Sequence, residues 1–449
     1  MKKNVKIIAI VAAACVLVLA LVLALIFLLP RDSETPNNGV ELIDYASQAK
    51  LDLTSNRARQ EVTLKMHIDG DTTHFNLTTP IGGSSVLKAR YLGVDTPEST
   101  GAIEKWGKKA SNFTKERLAN ATSIIVESDT SEWNPDSTGS RYMVWVWYKT
   151  ASMTDYRCLN LELLQEGLAK PKGTDNTYGT ICFDAYMQAR TNKLHVFGND
   201  VDPEYYVGEA IPVDLKELAT NPEKYDGMKV VFEATIVRDF GNSVYLQAYC
   251  EETDMYHAIG AYYGYNFNGM DQLTIGNKMK IVGTVSYWEG GGTYQISDLK
   301  YNAFSPDQSN NIEVLEFGQK VVYTLTTPEE FCNGKKDVIV IDDEGEEVLK
   351  KISYAELALN TAIEMHNLKV TRVYTTVSDN ESSDGAMTLT CEAGGKTITV
   401  RTEVLKDSDG NIITADYFEG KTIDVKGLVA YYNGNYQIKL ISVNDVVVK

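Results

Sequence analysis

The stretch KARYLGVDTPEST, residues 88–100, places an arginine, an aspartate and a glutamate within nine positions, Arg90 to Glu98. VLKARYLGV reads as a strand. Pro97 stops it, because proline donates no ladder hydrogen bond and fixes the loop that follows. Asp95, Thr96 and Glu98 therefore stand at a strand end, and the three charged groups Arg90, Asp95 and Glu98 are either the decoration of a loop or a site that handles phosphate.

Upstream, Val62, Leu64, Met66 and Ile68 alternate with Thr63, Lys65 and His67, the pattern of a half-buried strand, and Asp69-Gly70 supplies a tight turn with Asp71 just past it. Downstream, EKWGKKASNFTKERLA puts Trp106, Ala110 and Phe113 on one helical face. RYMVWVWY from Arg141 is a strand, LNLELLQEGLAK a helix ending at Gly167, and Phe183, Met187 and Leu194 mark a third helix.

Residues 60 to about 197 resemble the staphylococcal nuclease (thermonuclease) family. The resemblance rests on IDGDT (68–72), RYLGVDTPES (90–99), EKWGKKASNFTKERL (104–118), a Gly-x-Arg before an alternating strand (139–141) and LLQEGLAK (163–170), in family order and at close to family spacing. It implies an OB-type barrel with helices attached and calcium as cofactor. Asp71, Asp95 and the backbone carbonyl of Thr96 would be the metal ligands, Arg90 and Arg141 the phosphate-binding arginines, and Glu98 the carboxylate that positions or deprotonates the attacking water. The implied reaction is phosphodiester hydrolysis in DNA or RNA with 3′-phosphate products. Two departures stand out. Ser140 separates Gly139 from Arg141, and after GLAK the text reads PKGTDNTYGT, where the family carries base-stacking tyrosines; Tyr178 is a candidate substitute.

The residue types suit that chemistry on their own terms. Calcium is a hard cation that takes oxygen ligands, a bound divalent ion polarises a phosphoryl oxygen, and arginine pairs bidentately with phosphate through a permanently charged fork. A carboxylate near the ion is a general base for water.

The N-terminus carries Lys2, Lys3 and Lys6 ahead of 24 uncharged residues from Ile7 to Pro30. As a helix this run spans ~36 Å and exceeds a ~30 Å hydrocarbon core. It ends in Phe27-Leu28-Leu29-Pro30, without a small-residue cleavage site, so an uncleaved anchor is expected; secretion after cleavage is the alternative. The lysines put residues 1–6 in the cytoplasm and the bulk of the chain outside the cell membrane. No CxxC pair occurs among the six cysteines, and the five histidines show no ligand spacing and read as surface residues. Cys158 and Cys182 either bridge or remain buried thiols.

Near residue 201 the texture changes. GNKMKIVGTVSYWEGGGTYQI (276–296) recurs as GKTIDVKGLVAYYNGNYQI (420–438), with paired glycines around a strand and an aromatic pair after it. One supersecondary unit used twice is implied, in a pattern that resembles small five-stranded OB-type barrels. The expected class is mainly β with helices (α+β): a linker over 31–58, the nuclease-like OB barrel over 59–200, and OB-like barrels over 205–305 and 315–449, preceded by one transmembrane helix over 7–30. The entire net charge of −18 falls within residues 201–449, which argues against those barrels as polyphosphate binders and leaves a protein partner open. The rival to an enzyme is a catalytically silent surface protein that binds nucleic acid or a protein.

Overall fold

The alternating segment around Val62 forms β1 (Arg59–Asp69), which pairs antiparallel with β2 (Thr72–Ile81), and β2 with β3 (Ser84–Tyr91). The computed structural model describes residues 42–449 apart from 174, 266, 304–309, 343–344 and 379–382. The basic segment 1–6, the anchor 7–30 and the linker as far as residue 41 lie outside the described residues. Among those described, no helix is long and apolar enough to cross a membrane.

A short β4 (Gly93–Asp95) continues from β3 after a break at Leu92, and α1 (Tyr45–Gln48) and α2 (Gly107–Ala119) flank the sheet. β5 (Ser123–Glu127) joins the free edge of β1 and pairs with β6 (Tyr142–Lys149), which closes the barrel by running parallel to β3, with Arg90 opposite Met143. β7 (Arg157–Cys158), α3 (Leu159–Gln165), β8 (Lys170–Lys172) and α4 (Gly179–Thr191) follow. Val144 through Tyr148 are all buried, because β6 has the barrel interior on one side and α3, itself buried from Leu159 to Leu164, on the other. Trp145 and Trp147 are fully buried there, and truncating either would cost about 3–5 kcal/mol.

Periodicity misplaced some residues. Register shifts between Leu64 and Met66 and again between His67 and Asp69 bulge β1, and each re-aims the side chains that follow it. His67 and Asp69 are consequently buried. His257 is fully buried too, bonded to the Thr253 hydroxyl (2.8 Å) and the Leu357 carbonyl (3.2 Å), so the expectation of surface histidines fails at both sites. In α4 the buried face is Cys182, Ala185 and Ala189, while Phe183 and Met187 are exposed. Cys158 and Cys182 are buried free thiols.

After β9 (Ile211–Pro212), the second barrel is built from β10 (Lys229–Asp239), β11 (Ser243–Cys250), β12 (Met255–Tyr262), β13 (Lys278–Trp288) and β14 (Thr293–Ser297). Its ring order is β10-β11-β12-β14-β13, closed by β13 on β10, with β12 and β14 parallel. β15 (Ile312–Glu316) adds to β13, so pairing with this barrel continues past residue 305. β16 (Thr324–Leu325) and the hairpin β17 (Lys335–Ile341)–β18 (Glu347–Ser353) lead to the third barrel. Its strands are β19 (Ala362–Thr375), β20 (Met387–Ala393), β21 (Lys396–Thr402), β22 (Thr422–Tyr432) and β23 (Asn435–Leu440), in the same ring order. All three closed barrels share one five-strand topology, that of the OB fold.

The sequence repeat is the β13–β14 and β22–β23 hairpins. Its second glycine has one cause in both copies. A Cβ on Gly283 would lie 2.3 Å from Ile296 Cγ2, and one on Gly427 would lie 2.6 Å from the Lys439 carbonyl oxygen, so only glycine lets the neighbouring strand approach. Arg238 and Asp445, both nearly buried, pair at 2.5 Å between the second and third barrels.

Candidate active site

The charged stretch lies where β3 leaves the barrel. Buried Asn160 fixes that exit: its amide donates to the carbonyls of Leu92 (2.9 Å) and Val144 (3.1 Å), and its oxygen accepts from Val146 N–H at 2.9 Å. The backbone break at Leu92 is thus satisfied, and β4 turns away toward the loop.

Asp71, at the start of the β1–β2 hairpin's second strand, is 1% exposed. Its Oδ1 meets Arg90 Nη1 at 2.5 Å and its Oδ2 accepts from the Thr96 backbone N–H at 3.0 Å. Burial pushes its carboxyl up, against the pull of Arg90 and of the Thr96 amide. Arg90 Nη2 reaches Asp95 Oδ1, also at 2.5 Å, so one guanidinium bridges both carboxylates. Lys172 Nζ adds a third cation contact at 2.8 Å from Asp95.

Glu98 follows on the loop. Its backbone carbonyl accepts from Glu104 N–H at 2.9 Å, and a Cβ on Gly107 would fall 2.1 Å from that carbonyl oxygen, so glycine at the start of α2 is what allows the loop to sit so close. The Glu98 side chain is exposed. Its carboxyl is nevertheless pushed up to about 8, first by desolvation, then by a hydrogen bond to Asp69 and the negative charges of Asp69 and Asp71. Asp69 is the residue that sequence reasoning missed, having been read as a turn former. It is 5% exposed and accepts from the Ser99 hydroxyl at 2.6 Å, tying the hairpin to the Glu98 loop. The only signal was its place in Asp69-Gly70-Asp71, and the β1 bulge that turns it inward has no sequence marker.

Arg141 stands apart. Its Nε donates to Asp136 Oδ2 at 2.7 Å across the Asp136–Arg141 loop, and among the described residues it contacts none of Asp71, Arg90, Asp95, Thr96 or Glu98. Main-chain register places it two residues before Met143, the partner of Arg90.

Among the described residues no group of three or more His, Cys, Asp or Glu side chains is gathered to hold an ion. Two carboxylates do converge on one cationic group, the Arg90 fork, and the neighbouring Thr96 hydroxyl is buried without a hydrogen-bond partner. An all-oxygen set of Asp71, Asp95 and the Thr96 carbonyl, completed by water, fits calcium and does not fit a soft metal.

Tyr178 is not a base-stacking substitute. Its ring packs edgewise on Trp145 (4.9 Å) and Trp147 (5.4 Å), and its hydroxyl donates to buried Glu127 at 3.2 Å. Pro171 and Lys172 lie in β8, paired with β4, which brings Lys172 to Asp95.

A family model described as staphylococcal nuclease homologue matches residues 88–197, a span that includes Arg90, Asp95, Thr96, Glu98 and Arg141 and begins after Asp71. A thermonuclease of Staphylococcus intermedius is 30% identical over 160 residues, which cover 30% of this chain and 89% of that protein.

Proposed function

Because the chain belongs to the staphylococcal nuclease family and is a nuclease, we propose that it hydrolyses phosphodiester bonds of DNA or RNA in a calcium-dependent reaction that leaves 3′-phosphate ends. The observation that carries this reading is the Arg90 fork held between Asp71 and Asp95, with Glu98 on the same loop. Arg90 binds the non-bridging oxygens of the scissile phosphate, where a planar fork offsets the charge that grows during attack. Arg141, whose Nε is spent on Asp136, turns its Nη groups to the same phosphate. Glu98, once ionised, accepts the proton of the attacking water. Asp71, Asp95 and the Thr96 carbonyl would hold calcium, which supplies Lewis-acid polarisation of a phosphoryl oxygen when bound.

We place the activity at the outer face of a cell membrane. This is supported by the uncharged run from Ile7 to Pro30 behind three lysines.

The test is a nuclease assay on the full chain with calcium, with chelator, and with Glu98→Gln and Arg90→Ala, followed by analysis of product ends. Turnover should require calcium and fall about 10²- to 10⁴-fold in each variant. Cutting that persists in chelator, or variants as active as the parent, would overturn the assigned roles. Exclusive 5′-phosphate ends would overturn the product assignment alone.

A further inference from the structure

Beyond the catalytic cluster, a cavity of about 660 Å³ lies between the first barrel and the second. Its lining takes in Ser99 and Thr100, the two residues after Glu98, and on the second barrel Tyr262, Tyr287 and Trp288. The two walls are fixed to each other. Asp298 N–H donates to the Gly101 carbonyl at 2.7 Å, Lys108 pairs with Asp226 at 2.7 Å, and Lys115 pairs with Glu289.

The aromatic residues here are not core residues. Trp288 and Tyr287 are 49% and 48% exposed. The Trp288 ring rests on the Gly290-Gly291 backbone so closely that a Cβ on Gly291 would fall 2.2 Å from it. A glycine shelf thus holds the indole while leaving half of it to solvent. Tyr287 is steadied by an edge contact with Tyr294 at 5.1 Å. Charge separates this channel from its surroundings: its walls carry four lysines and four carboxylates, whereas residues 201–449 as a whole are strongly acidic.

We propose that this channel is an accessory substrate subsite, in which unpaired bases of a single-stranded nucleic acid stack on Trp288 and Tyr287 while the strand's scissile phosphate sits at Arg90. The inference rests on the nuclease reading. Stacking on fixed rings tolerates any base, and a neutral channel leading from the catalytic loop is the path along which an acidic protein repels a polyanion least. Duplex DNA cannot present its bases in this way.

The experiment measures fluorescence anisotropy of a labelled single-stranded 20-mer on the full chain carrying Glu98→Gln, in chelator, alone and with Trp288→Ala, Tyr287→Ala or Trp288→Phe added. Each alanine should weaken binding about 5-fold or more, Trp288→Phe should retain most of it, and an unlabelled duplex should compete at least about 10-fold less well than the single strand. In the catalytically intact chain, the alanine variants should raise KM for the 20-mer by more than they raise it for a dinucleotide. Unchanged 20-mer affinity in both alanine variants, or equal competition by duplex, overturns the subsite. Ring-dependent binding by a chain that never cuts would sink the nuclease reading and leave the subsite standing; normal cutting with ring-independent binding sinks the subsite alone.

Discussion

The first and second barrels share a strand order and differ in what stands at one ladder position. The first residue of the second strand faces Arg90 in the first barrel (Thr72 opposite Arg90) and Tyr262 in the second (Ser243 opposite Tyr262). Around Arg90 the adjoining hairpin supplies Asp69 and Asp71, and β4 supplies Asp95; at Tyr262 the corresponding hairpin keeps Asp239, the last residue of β10 as Asp69 is of β1, but its carboxylate accepts from the Tyr263 hydroxyl at 2.9 Å and the turn Phe240-Gly241-Asn242 has no acid in the place of Asp71. The ladder is therefore a scaffold indifferent to chemistry, and function is decided by a few side chains at strand ends. The same barrel is a catalyst in one copy and, in the next, a wall that carries aromatic rings.

The sharpest way to break this contrast is to degrade the fork while keeping its charge. Arg90→Lys retains one positive group but cannot bridge two carboxylates or grip phosphate bidentately. kcat/KM should fall about 100-fold or more with the thermal midpoint little changed. A variant that keeps a tenth of parental kcat/KM would mean that charge alone suffices at this position.

Much of this was readable in advance. The motif blocks fixed the first barrel because each glycine, proline and charge in them has a backbone or chemical job, and the repeated glycines announced the hairpins of the second and third barrels. Asp71, Arg90, Asp95, Thr96 and Glu98 are brought together as their spacing around a hairpin and a strand exit suggests. Three things were hidden for physical reasons. Two register shifts interrupt the phase of β1 without any marker, so the burial of His67 and Asp69 could not be seen. Phe183 and Met187 looked like core by residue type, yet the face of α4 that is fully buried carries Cys182, Ala185 and Ala189. Tyr178 looked free because the tryptophans that enclose it lie on β6, thirty residues away in sequence.

Glycine substitutions probe the equivalence of the two repeated hairpins at smaller cost. Gly283→Ala and Gly427→Ala each force a methyl into a neighbouring strand, and overpacking of this kind costs about 1–3 kcal/mol. Thermal unfolding should show midpoints lowered by several degrees in both. If one variant unfolds far below the other, the two hairpins do not share a packing rule and the internal repeat is only a likeness of sequence.

The smallest expected effect is in acid. His74 on β2 is half-buried beside Lys65 and Lys88, and desolvation, then the charges of Lys88 and Lys65, lower its pKa to about 4. A histidine with a depressed folded-state pKa contributes fully above its unfolded value of about 6.5, and that contribution is lost as pH falls toward 4. A shift of this size sets a ceiling of about 3 kcal/mol, which partial exposure cuts to about 1. His67 and His257, also lowered mainly by burial, act in the same direction. His74→Gln removes only its own share, so between pH 7 and pH 5 the parent should lose a few degrees more of thermal midpoint than the variant does. Equal losses would mean that His74 takes up its proton in the folded barrel as readily as in the unfolded chain, and that the lysines and packing around it exert no effective field on the ring.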